Sequence, residues 1–167
     1  MALSTKDTKW MVELTPPEMI TAGMNGIMRR TKQIAVNSFS ENHNWDSEIE
    51  GALAEAAVAK RLNLFNCSSV DVFKGGDVDQ FQVRSTRHDD GGLILRPGDV
   101  KEGTTGTIYI LVTGQDGIYT LRGWSRDTDV CAEAYWHDVK KPFWLMPQAE
   151  VVPMSELVKH HVKRRVS

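Results

Sequence analysis

The chain has 167 residues, a quarter of them charged, with 20 Lys and Arg against 22 Asp and Glu and a formal charge of −2. That length suits one soluble domain, whose core buries roughly 70% of the unfolded surface without a metal or disulfides. A charge so near zero excludes a strongly basic nucleic-acid-binding domain, so any such surface must be local.

No stretch approaches the roughly 20 apolar residues of a membrane span, and the first residues lack the apolar run of a secretion signal. Cys67 and Cys131, far apart in sequence, read as reduced thiols of a cytoplasmic protein. The expected organisation is a single domain, residues 1–167: an N-terminal helical extension over 1–44, a core over 45–157 and a basic tail over 158–167.

Pro16 and Pro17 can open a first helix after Thr15, and Met19, Ile20, Met24, Ile27, Met28 and Ile34 recur at helical spacing. Gly23 and Gly26 weaken that helix. Asp46 or Ser47 can cap a second helix that runs on to about Asn66. On it Glu48, Ala52, Glu55, Ala59 and Leu62 share one face; the small alanines would let Glu55 be held inward, and the alternative is an exposed, helix-favouring Glu55 paired with Lys60 or Arg61.

After Asn66 the period changes to that of strands. Val70, Val72 and residues 78–86 read as strand, residues 93–95 as another, and residues 107–112 as a buried one. The sequence GQDG is a hairpin turn returning through residues 118–124. Asp127 or Thr128 can cap a short helix through DVCAEAYW, and residues 143–146 form a last strand. Helices first and strands after predict an α+β, or mixed α/β, fold, with a mostly antiparallel or mixed central sheet flanked by helices.

Along residues 77–88, Phe81 and Val83 point one way, while Gln80, Gln82, Arg84, Thr86 and His88 point the other. Such a polar face is either solvated or a site. His88 beside Asp89 and Asp90 fits a polar turn better than a metal site, and Trp124, Trp136 and Trp144 lie in apolar runs that suit core or interface.

The segment GGDVDQFQVRST, with GALAEAAVAK upstream and LILR, IYILVTG and IYTLRGWS downstream, resembles phage-borne proteins with a PD-(D/E)XK nuclease core. The resemblance implies a magnesium- or manganese-dependent DNA endonuclease acting in the host cytoplasm. It casts Asp77 as the strand-entry carboxylate on the metal, Glu55 as its helix partner, Gln82 as a third ligand and Arg84 as the cation beside the phosphate. Asp71 and Asp79 are rivals for the acid.

The chain departs from that pattern at Gln82-Val83-Arg84, where the family has an acid and a lysine. The amide removes a negative charge from the ligand set, and a guanidinium stays protonated, so Arg84 can hold phosphate but cannot act as a base. The alternative is an impaired nuclease-like fold that binds DNA or a host defence or metabolic protein. Lys159, Lys163, Arg164 and Arg165 in the tail would supply contacts to DNA, and a homodimer stays open.

Overall fold

The computed structural model describes residues 9–36, 44–64, 77–100 and 102–157. The architecture is α+β. Strand β1 (Met11–Glu13) leads into α1 (Pro16–Ala35) and α2 (Trp45–Leu62), followed by β2 (Phe81–Thr86) and β3 (Leu93–Leu95). Next come β4 (Ile108–Gln115), β5 (Ile118–Arg126), the short α3 (Asp127–Val130), β6 (Trp136–His137) and β7 (Phe143–Met146).

Thr15 precedes α1 in extended conformation, and the Glu18 carboxylate turns back to accept its N–H at 2.7 Å. Asn44 caps α2, not Asp46 or Ser47: its side chain accepts the Ser47 N–H at 2.8 Å while the Ser47 hydroxyl accepts the Asn44 N–H at 3.1 Å. The helix stops at Leu62 rather than near Asn66, because Asn63 takes a left-handed conformation with φ 52° that breaks the ladder. The expected helix through DVCAEAYW is a single turn that ends at Val130, and Arg126, not Asp127 or Thr128, stands at its N-cap. The Asp127 carboxylate that favours its start is also drawn to the N–H groups of Thr105 and Gly106, at 2.8 and 2.7 Å, and so ties down the entry to β4.

The main sheet has the order β1-β5-β4-β2; β2 runs parallel to β4, and the other pairs are antiparallel. A second, antiparallel sheet has the order β3-β7-β6. The β4–β5 hairpin closes through Asp116 and Gly117, whose φ values of 55° and 88° are those of a turn matched to strand twist. Strand β1 is an edge strand of the main sheet, paired with β5, and α1 packs along α2.

Two apolar clusters fill the interior. Leu53, Ala54, Ala57 and Val58 of α2 meet Phe81, Val83, Ile110 and Val112 on one face of the main sheet. Tyr109 and Leu111 on the other face meet Leu93, Leu95 and Met146 of the small sheet. Alternation along β2 and β4 thus sends successive residues to different layers. Helix α1 lies outermost on α2. At their crossing a Cβ on Gly26 would stand 2.5 Å from the Glu48 carbonyl oxygen, so only glycine permits this approach. The glycine that weakens the helix in isolation is what lets it pack.

Candidate functional site

Glu55 is buried on α2, 7% exposed, and the close crossing lets Arg29 of α1 reach it. The guanidinium donates to both carboxylate oxygens at 2.6 Å each, a bidentate fork. The sequence-level partners of Glu55 are engaged elsewhere. Lys60 binds Glu18 at 2.8 Å and the Glu13 carbonyl at 2.9 Å, and Arg61 lies 4.9 Å over the Trp10 ring. Burial pushes the Glu55 carboxyl above its ordinary value against the pull of Arg29, with the Asp77 and Glu48 charges adding to the rise. Arg29 is in turn held more firmly protonated, chiefly by its bonds to Glu55. Glu48, about two turns earlier on the same face, accepts from Gln33 at 2.9 Å.

Asp77 lies in the bend that precedes β2. Its carboxylate accepts the Val83 N–H at 2.8 Å and stands 3.9 Å from Arg84 Nη1. Burial raises its pKa as well, and Val83, Arg84 and Arg29 hold the rise down. Arg84 donates to Asp99 at 2.9 Å and lies 5.0 Å over the Tyr109 ring, so its fork is spread between two acids and an aromatic face. The side chains of Asp77, Arg84 and Asp99 are 27%, 29% and 28% exposed, which leaves this group open at one side.

Asp99 belongs to the 3-10 turn Pro97–Val100 and also accepts the Arg96 N–H at 2.7 Å. Arg96 continues outward over Phe143 at 5.8 Å, and His137 stacks on the same ring at 4.9 Å with an interplanar angle of 14°. Register places Ile94 against Leu145 and His137 against Phe143, so these form the outer face of the small sheet. Trp136 and Trp144, 4.7 Å apart, lie on its other face, where Trp144 packs on the inner cluster.

Asp77 lies within electrostatic reach of Glu55 and Arg29 and also of Arg84. Phe81 and Val83 face α2, so Gln82 and Arg84, alternating with them, face the other layer beside Tyr109, which is paired with Gln82 across the ladder. Asp77 sits where β2 begins and senses the charges of both groups. The polar face of β2 would have to turn towards α2 to join Glu55, and the strand turns Phe81 and Val83 to the helix instead.

A divalent cation does not fit this arrangement. Both Glu55 oxygens are occupied by Arg29, Gln82 lies across the strand from Glu55, and no group of three His, Cys, Asp or Glu could hold a metal among the described residues. Asp79, with φ 55° in the turn before β2, is exposed. Asp71 and the basic residues Lys159, Lys163, Arg164 and Arg165 lie outside the described residues.

Arg29, Asp99 and Tyr109 are the participants that the sequence does not single out. Asp99 carries a faint signal, since an Arg-Pro-Gly-Asp run implies a turn with an acid free to bond back to it. No helix among the described residues is long and apolar enough to cross a membrane. Comparison with family models, curated proteins and solved structures finds no match.

Proposed function

We propose that the chain is a nuclease-like core that binds single-stranded DNA along the outer face of its small sheet without cutting it, in the cytoplasm of an infected cell. The observation that carries this reading is the interleaving of guanidinium and aromatic groups: Arg96 over Phe143, His137 stacked on the same ring, and Arg84 joined to Arg96 through Asp99. Aromatic faces stack on bases whatever their sequence, and forked guanidinium groups match phosphate geometry. The Arg29 fork on Glu55 explains why cutting is not part of the proposal.

Anisotropy titration of a labelled single strand, with magnesium and with EDTA, tests it. Binding should survive EDTA. Phe143→Ala should weaken it by about 1–3 kcal/mol, the range for removal of one stacking ring. Arg96→Ala should reduce the slope of log K against log salt by about 0.7, the value for one phosphate contact on a single strand.

A second reading, a magnesium-dependent endonuclease, is favoured by one feature: Glu55 and Asp77 are both carboxylates raised by burial, and such groups gather at active sites. It requires Arg29 to release Glu55. Cleavage of DNA that needs Mg²⁺ or Mn²⁺ and disappears in Asp77→Asn would establish this reading over the first. If the protein neither binds nor cuts DNA, both give way to a protein ligand.

A further inference from the structure

Helix α1 is built inside out. Its buried positions are the small Ala22 and Gly26, whereas Ile20, Met24, Ile27, Met28 and Ile34 stand 39% to 66% exposed. A helix that borders water normally keeps its large apolar residues inward and its charges outward. Here no exposed position between residues 20 and 36 carries a charge. The stripe from Ile20 to Ile34 runs about 21 Å at 1.5 Å per residue. Contiguous apolar surface of this kind marks a place of association.

The spacing says what covers it. Ile20, Met24, Ile27, Thr31 and Ile34 follow one another by steps of four and three, the 3.5-residue period of a seam between helices. A stripe with no charge offers nothing to repel its own copy. Pairing two such helices antiparallel about Ile27 sets Ile20 against Ile34, opposes the two helix dipoles, and brings the first turn with Glu18 beside the last turn with Lys32 of the other chain. That arrangement is isologous and closes on itself as a two-fold dimer.

We infer that the outer face of α1 is a homodimer interface, formed with α1 of a second copy in antiparallel orientation. The inference is independent of the DNA reading. One helix seam is smaller than the roughly 800 Å² per partner of a standard interface, so a weak, reversible dimer is expected, and a dissociation constant of about 10 μM is the working value for its test.

Sedimentation equilibrium of the full chain over roughly a hundredfold range around that constant tests it. The expected result is a mass that climbs from 18.8 kDa towards twice that value, and an Ile27→Glu variant that stays at 18.8 kDa with an unchanged circular dichroism spectrum. Because Ile27 is 45% exposed, the substitution should leave the fold intact. Orientation is read in a Cys67→Ser, Cys131→Ser background. Ile20→Cys and Ile34→Cys variants should crosslink when mixed and not when oxidised alone, whereas Ile27→Cys should crosslink with itself. A parent that stays monomeric at the highest concentration overturns the inference, even if it then binds lipid vesicles. So does an Ile27→Glu variant that dimerises like the parent, or crosslinking of Ile20→Cys with itself only.

Discussion

Glu55, buried, and Asp77, partly buried, are both carboxylates next to an arginine, yet they are held in opposite ways. Glu55 is locked between two helices by a fork that fills both of its oxygens. Asp77 touches its arginine only at 3.9 Å, and that arginine is shared with Asp99 and Tyr109 on a side open to solvent. The first arrangement is a joint, the second a group that a ligand could rearrange at little cost. A closed ion pair contributes to which helices meet and where; a half-open one leaves charge available for recognition.

The sharpest way to break the comparison is to remove the fork. Arg29→Met should destabilise the protein by about 3–5 kcal/mol, because it leaves a buried charge without its partner. Adding Glu55→Gln should restore much of the loss, since the uncompensated charge then disappears with its partner. Urea unfolding of the two single variants and the double variant measures the coupling. A coupling near zero would mean that the fork does not join the helices.

Next in size is Gly26→Ala, which acts on the same joint through space. The added Cβ would meet the Glu48 carbonyl oxygen at 2.5 Å and the Ile49 Cα at 2.7 Å, so α1 and α2 must move apart. Overpacking of this kind costs about 1–3 kcal/mol. Alanine gains up to about 1 kcal/mol of helix propensity in return, which the backbone clash outweighs. A thermal midpoint that rises would show that the crossing is looser than described.

How far the sequence could announce all this depends on the range of each interaction. Local signals sufficed for the helix after Thr15, for the hairpin at Asp116-Gly117, and for residues 93–95 and 143–146, because each is set by neighbours along the chain. The alanine neighbours of Glu55 allowed an inward acid, but the sequence equally suited an exposed one beside Lys60 or Arg61, and the burial is settled by the helix crossing. Its partner was not legible: Arg29 is 26 positions away, and only the Gly26 crossing brings it near. The same limit applies to Gln82 and Arg84. Alternation separates them from Phe81 and Val83, but which set faces the helix is decided by where the apolar surface of α2 lies. On α1 the period was legible and the direction was not, since it is Ala22 and Gly26 that face inward.

A smaller effect sharpens the description of the open group. Arg84→Lys keeps the charge but gives up the fork and the planar contact with Tyr109. On a partly exposed pair the stability change should be within about 1 kcal/mol. The effect on DNA binding should be larger than that on stability, since forked recognition of phosphate is what is lost. If stability falls as far as in Arg29→Met, the Asp99 pair is a structural joint after all.

The smallest effect is a difference in pH dependence. The Asp77 carboxyl lies above its ordinary value of 3.8 in the folded protein, chiefly through burial, so folding carries a penalty at neutral pH. The folded state takes up its proton before the unfolded state does, and stability therefore rises as pH falls through the raised value towards 3.8. Glu18 has the opposite sign. Its bond to Lys60, with those to Thr15, lowers it from 4.5 to about 2, so its contribution is present above 4.5 and is lost as pH falls towards 2. Asp77→Asn cannot ionise, and an amide oxygen can still accept the Val83 N–H. The stability advantage of this variant over the parent should thus be greater at pH 7 than at pH 4, as read from urea midpoints at the two values. The same advantage at both would show that Asp77 titrates as an ordinary exposed acid and that the open group is more solvated than its burial implies.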